Sequence, residues 1–364
     1  MKRLPSQLPD MPLPDDQDVL VVEKKSEGKL KGTKFGDLKT AITSALQGLV
    51  NALQTDKIPY QNADKPVNLN NQDLKSVKDF EANLFKGNAP NILAMETLGH
   101  APRNLMEVYG TATVAETFEA VRADILLNGF KNLRLGDYID LDTFTVNNWY
   151  NGVAGTTAGG AWDTTKTVTK GTNNSTRVEI VSFDDYYNVG ENGYYPTEHH
   201  AVFMFSEIPL QGPVHKLNSH PWYQTSQHYK GSDLVTKGLV ALYNAIQAQF
   251  GTAKPYEVSR YIATLDGGEY NGPERLFIPT GMNIFGSTGF SYVQRSVSTQ
   301  RHFALFALKP SRIMKTFNGV TRQRWWLAEL SAGSSSAFAL VYDVGSLTAN
   351  TSYYSYGVVP AFLI

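Results

Sequence analysis

The chain reads as a mixed α+β protein. Apolar stripes at helical spacing recur over 35–54, 114–127 and 234–250. From residue 133 onward, apolar runs and alternating segments of strand length are separated by Gly- and Asn-rich turns. An apolar fraction of 42% over 364 residues is enough for a sizeable core, and the length allows two or three domains.

The elements follow in order. Residues 1–18 are broken by Pro5, Pro9, Pro12 and Pro14, so no apolar run follows the two basic residues and no signal peptide is expected. Val19-Leu20-Val21-Val22-Glu23, a turn at Ser26, Glu27 and Gly28, and a second strand over 29–33 make a small hairpin. Leu38, Ile42, Ala45, Leu49 and Ala52 then repeat at 4-3-4-3, which predicts a helix with a seam that needs a partner. Its flanks are too polar to cover it, so self-association is the expectation. Residues 55–95 are rich in Asn, Asp and Lys and read as an extended shaft or linker with short strands.

A second helix is predicted over 114–127. Thr113 and Glu116 have capping-box spacing, Val114, Phe118, Val121 and Ile125 form its stripe, and Gly129 suits its end. A third runs over 234–250 with Val235, Leu239, Leu242, Ile246 and Phe250 on one face. Strands are expected at 135–139, 177–183, 200–205, 276–278, 303–308 and 338–342.

Composition narrows the function. The net charge of −1 gives no strong pull on nucleic acid or anionic membrane, and no stretch has the length of a membrane span. Cysteine is absent, which excludes disulfides, thiolate metal sites and Cys nucleophiles. His199 and His200 are neighbours on a strand and point to opposite faces, so they do not easily share a metal. Asp184-Asp185 and the group Asp137, Asp140 and Asp142 suit turn and hairpin-end roles. They also carry two alternatives, a glycoside-cleaving carboxylate pair and a calcium site among carbonyl-rich loops. The glycine-rich stretch 281–289 lacks the spacing of a phosphate cradle, and the elbow and zinc-helix motifs are missing. Arg322 and Arg324 beside Trp325-Trp326 offer a cation–π contact or simply cap the rim of a core. No catalytic residue and no cofactor is assigned, and a structural metal is left open.

The last forty residues are distinctive. Trp325-Trp326-Leu327 and the run 358–364 are apolar. Between them Ser, Tyr, Gly, Thr and Asn dominate, and from 331 to 357 Asp343 is the only charged residue. Such a composition suits an adaptable contact surface, and also ordinary surface strands.

These blocks, in order, resemble a known group. They are Leu135-Gly136-Asp137-Tyr138-Ile139, Arg177-Val178-Glu179-Ile180-Val181, Trp325-Trp326-Leu327, Phe338-Ala339-Leu340-Val341-Tyr342 with Gly345-Ser346-Leu347, and Tyr356-Gly357-Val358-Val359-Pro360-Ala361-Phe362. Over about 132–364 the chain is similar to a phage-associated domain with a C-type-lectin-like fold. That domain commonly ends tail-fibre and receptor-binding proteins and looks related to the variable proteins of diversity-generating retroelements, major tropism determinants among them.

The resemblance implies three parts: a virion-attachment hairpin and oligomerisation helix over 1–55, an extended shaft with the second helix over 56–131, and a C-type-lectin-like receptor-binding domain over 132–364. It further implies a homotrimer on a virion tail fibre or baseplate. The N-terminus would engage other tail proteins, and the C-terminal domain a host surface receptor, protein or glycan, during adsorption, with no nucleic acid and no membrane insertion. Carried over by position, the implied receptor contacts are Ser334, Ser335, Ser336, Phe338, Tyr342, Asp343, Ser346, Asn350, Ser352, Tyr353, Tyr354 and Tyr356. Trp325, Trp326, Gly345, Pro360 and Phe362 are the implied scaffold. Phe338 shares a strand face with Leu340 and Tyr342 and is a core candidate as well. Family members often carry Arg-Ser-Pro where this chain has Ala328-Glu329-Leu330, and Val-Arg-Pro where it has Val358-Val359-Pro360, departures expected to alter surface charge. A branch of the fold oxidises cysteine with catalytic thiols, which a Cys-free chain cannot do. Two alternatives stand beside receptor binding: a tail-associated polysaccharide depolymerase using Asp184 or Asp185, and a purely structural virion protein.

Overall fold

The computed structural model describes residues 101–364 except 154, 157–159, 191–192, 216–228, 263–268, 288–300 and 332–335. N-terminal to these it describes 19–24, 29–34, 40, 43–47, 67–69 and 72–74. The chain divides into two compact units, 1–86 and 87–364.

In the first unit, β1 (Val19–Lys24) pairs antiparallel with β2 (Lys29–Lys34), as the turn at Ser26, Glu27 and Gly28 predicts. β3 (Val67–Leu69) and β4 (Gln72–Leu74) form a second short hairpin inside the stretch read as shaft. Thr40 and residues 43–47 are helical and exposed. The rest of the predicted seam, including Leu38, Ile42, Leu49 and Ala52, lies outside the described residues.

The second unit is α+β with two principal sheets. A four-stranded antiparallel sheet runs β19 (Ala361–Leu363), β9 (Ala201–Phe205), β8 (Arg177–Phe183), β5 (Tyr138–Asp140). A five-stranded sheet runs β10 (Leu210–Gly212), β18 (Tyr356–Val358), β15 (Trp325–Leu330), β16 (Ala337–Val341), β17 (Leu347–Thr351). In this sheet β15 and β18 pair in parallel, with Trp325 opposite Gly357, and the other pairings are antiparallel. The chain passes from one sheet to the other at Val359-Pro360. The apolar block 358–364 is therefore buried from end to end.

Helix Val114–Asn128 is laid on the four-stranded sheet by its stripe. Val114, Phe118, Val121 and Ile125 are buried, and the Phe118 ring lies 5.6 Å from Phe203, 5.1 Å from Phe250 and 5.9 Å from Phe362. Phe203 and Phe362 are cross-strand partners whose rings stack at 5.7 Å. The capping box forms as expected: Thr113 accepts from the Glu116 N–H, and Glu116 accepts from the Thr113 N–H. The helix thus belongs to the core of the second unit and not to a shaft ending at 131. Residues 101–131 are tied in further by Arg103, which bonds the buried Asp137 at 2.6 Å.

Three other expectations change. Residues 304–308, read as a strand, are helical (Ala304–Leu308) and buried. A short all-apolar run does not distinguish strand from buried helix, and Ala and Leu favour the helix. Residues 276–278 contribute only a single bridge, Phe277 to Ala361. The third helix opens with a π-helical turn (Leu234–Leu239) before Val240–Ile246. The wider turn rotates Leu234, not Val235, into the core. The hairpin of β6 (Phe144–Tyr150) and β7 (Trp162–Val168) was not legible, because β7 is mostly polar and β6 is bulged around Asn148 at φ +57°.

Candidate functional site

The ends of the five-stranded sheet carry the Tyr-rich segment, and its frame is rigid. Trp325 and Trp326 are fully buried, and their indole N–H groups donate to the carbonyls of Ile313 (3.1 Å) and Gly212 (2.8 Å). The β16–β17 turn needs Gly345 at φ +83°. There the Tyr342 N–H donates to Ser346 and the Gly345 N–H to Tyr342. Pro360 and Phe362 are buried, and the Pro360 carbonyl accepts from Phe205 N–H.

Register then assembles a cluster from three strands. Trp325 lies opposite both Val341 and Gly357. The residues beside these three, Arg324, Tyr342 and Tyr356, therefore become neighbours although 18 and 32 positions separate Arg324 from the two tyrosines. The Arg324 guanidinium sits 4.1 Å over the Tyr342 ring and 5.8 Å from that of Tyr356. It donates to the Tyr342 hydroxyl at 2.7 Å and, more weakly, to Tyr356 at 3.5 Å. Asn350 donates from Nδ2 to the same Tyr356 hydroxyl at 2.6 Å, and its Oδ1 accepts the Thr351 N–H at 2.8 Å, which fixes the amide's orientation. Trp326 buttresses Tyr356 edge-on at 5.1 Å. Tyr356, Tyr354 and Tyr353 continue as near-parallel rings 6.2 and 5.4 Å apart. Burial pulls the Arg324 pKa down, but hydrogen bonding and attraction from Tyr356 and Tyr342 outweigh it, so the group is held above the usual arginine value.

The other implied contacts fall on both sides of the surface. Ser336, Tyr342, Asp343, Asn350, Tyr353 and Tyr354 are partly exposed, and Ser346 is exposed. Phe338 is wholly buried and packs near His215 at 5.8 Å, so it is core and not a contact. Ser352 and Tyr356 are 7% and 8% exposed and support the face from behind. Ser352 does so through its backbone, which bonds Ser336, Val214 and His215. Ser334 and Ser335 lie outside the described residues. Arg324, at the centre, was noticed on sequence grounds only as a neighbour of the tryptophans. Tyr342 is brought to it by the β15–β16 pairing and Tyr356 by the β15–β18 pairing, which no local pattern announces.

The carboxylate and histidine candidates have structural partners. Asp184 accepts from His199 Nδ1 at 2.7 Å and from the His200 N–H at 3.0 Å. Asp185 points elsewhere. Burial pushes its pKa up to about 8, against the opposing effects of a hydrogen bond from Ser182 and the charge of Arg301. Asp137 pairs with Arg103, Asp140 with Arg177 and Asp142 with Lys170. Among the described residues no group of three or more His, Asp or Glu is placed to hold a metal ion. Gly281 opens a helical turn (Gly281–Phe285), not a phosphate cradle, and its N–H donates to Glu329 at 2.8 Å. Comparison with protein-family models, curated proteins and solved structures found no match to this chain.

Proposed function

We propose that the chain is a phage tail-fibre receptor-binding protein. Its C-terminal unit, of C-type-lectin-like kind, recognises a host surface receptor during adsorption. The observation that carries the reading is the partly exposed cluster of Arg324, Tyr342, Asn350, Tyr353 and Tyr354, backed by the buried Tyr356, on a frame fixed by Trp325-Trp326 and the buried block 358–364. Rigid amphipathic rings around an adaptable polar group are the makings of a recognition surface. The N-terminal unit attaches to the virion, its shaft and helical seam trimerise, and three sites on one assembly raise effective affinity by roughly 10²–10⁴ where geometry permits.

The test is adsorption of the purified full chain to a panel of bacterial isolates, beside the Tyr353→Ala/Tyr354→Ala double variant. Binding that falls at least about tenfold in a variant with unchanged melting supports the reading, in line with aromatic hot spots. Undiminished adsorption by the folded variant returns the chain to a structural virion role. Sedimentation checks the assembly: a concentration-independent monomer mass counts against the trimer.

A further inference from the structure

The cluster on the five-stranded sheet has an unbalanced hydrogen-bond inventory. Arg324 and the Asn350 amide both donate into phenolic oxygens. Each tyrosine is thus used as an acceptor, and its own O–H proton is left to give. The guanidinium has five donors and no acceptor, and the second amide hydrogen of Asn350 is a further donor. The Asn350 acceptor, Oδ1, is already occupied by the Thr351 N–H. The cluster is therefore a net donor.

The guanidinium supplies the positive charge of the cluster, and Asp343, the residue after Tyr342, forms no ion pair with it among the described residues. Arg103, Arg177, Arg260, Arg275 and Arg312 each pair with a carboxylate. Arg324 has no carboxylate partner among the described residues. Its position is set instead by stacking on Tyr342. A planar cation held in place before any anion arrives loses little entropy when it binds one, and its fork matches a carboxylate.

We infer that Arg324 and Tyr342, with Asn350 beside them and the buried Tyr356 behind, form a subsite for the carboxylate of an acidic sugar, a uronate unit of a surface polysaccharide. The inference rests on the receptor-binding reading and names the chemistry of that same site. A carboxylate has only acceptor oxygens, which suits a cluster with donors in excess. Flanking tyrosine rings and the remaining amide N–H suit the apolar faces and hydroxyls of a pyranose. An acidic peptide offers the same charge, but its affinity depends on apolar anchors seated in pockets, and the cluster is lined by phenols and an amide.

The experiment immobilises the full chain and measures retention of three probes at low and moderate salt: an oligogalacturonate, its methyl ester, and an oligoglutamate of equal charge. The expected result is salt-sensitive retention of the oligogalacturonate, at least about tenfold weaker retention of the ester and the peptide, and loss of the difference in Arg324→Gln. Arg324→Lys keeps the charge without the fork and recovers part of the binding. The ester comparison needs no variant, so it stands even if Arg324→Gln fails to fold. Equal retention of the ester, preference for the peptide, or no retention of any probe overturns the inference. If those results come with adsorption still lost in Tyr353→Ala/Tyr354→Ala, the receptor reading survives and only the sugar acid falls. If adsorption is also intact in that variant, both fall.

Discussion

Glu329 carries a formal charge into a place that has little use for one. It stands on β15, is 1% exposed, and accepts one hydrogen bond, from Gly281 N–H; its Oε2 has no hydrogen-bond partner among the described residues. The triplet Ala328-Glu329-Leu330 was expected to change surface charge, but all three side chains are buried, so the departure alters the core instead. Burial pushes the Glu329 pKa up to about 7, and the Gly281 N–H only partly offsets it. The folded value therefore exceeds the unfolded one, near 4.3. The favourable state is complete below that value and is lost as pH rises through about 7, so this one group leaves the fold less stable at pH 8 than at pH 4 by an amount on the order of 3 kcal/mol. Asp185, raised to about 8 chiefly by burial, acts with the same sign. His200, whose pKa burial lowers, acts oppositely and costs stability as pH falls below about 6.5. Glu329→Gln should melt higher than the parent at pH 8 and about equally at pH 4.5. Thermal denaturation across pH 4.5–8.5 checks this, and a parallel loss at both ends would mean that the amide disturbs packing.

At the scale of elements, what was legible is what is local. Helix Val114–Asn128 announces itself through i, i+3 and i+4 spacing and through Thr113 and Glu116, all within a few positions of one another. Its cap is correspondingly simple to test: Thr113→Ala removes the acceptor of the Glu116 N–H and should cost about 1 kcal/mol, a fall of about 2 °C in Tm for a unit of this size. No change would mean that tertiary packing alone fixes the helix start. Alternation made β8 legible, and β-branched and aromatic residues marked the all-apolar β9, while β7 has only polar residues between Trp162 and Val168 and was missed. The run 303–308 was misread because a segment apolar on all sides carries no period, and its Ala and Leu residues favour the helix. The candidate site was half legible. Its tyrosines stand out by composition, while Arg324 becomes a member because β15 pairs both with β16, which brings Tyr342, and with β18, which brings Tyr356 across 32 residues. The burial of Phe338 was visible as an alternative in the strand alternation and needed the two sheets to decide it.

For the whole molecule, the boundary of the C-terminal unit has a consequence that solution experiments reach directly. A fragment cut at 132, where the resemblance to lectin-like domains begins, omits Phe118, Val121 and Ile125, all buried at the four-stranded sheet. Each such side chain contributes about 1.5–3 kcal/mol by burial. Their joint loss is of the order of the 5–15 kcal/mol by which a typical domain is stable at all. The same cut removes Arg103, which leaves Asp137 buried without its bidentate partner, and unpaired buried charges cost several kcal/mol more. It also bares the rings of Phe203, Phe250 and Phe362, a patch that invites aggregation. The fragment 87–364 keeps all of these contacts. It should therefore give a single cooperative melt and well-dispersed amide resonances, while 132–364 should be poorly soluble, bind a hydrophobic dye and melt without cooperativity. A cooperative transition in 132–364 within a few degrees of that of 87–364 would show that the helix only decorates a sheet core able to stand alone. The boundary of the unit would then belong at 132 after all.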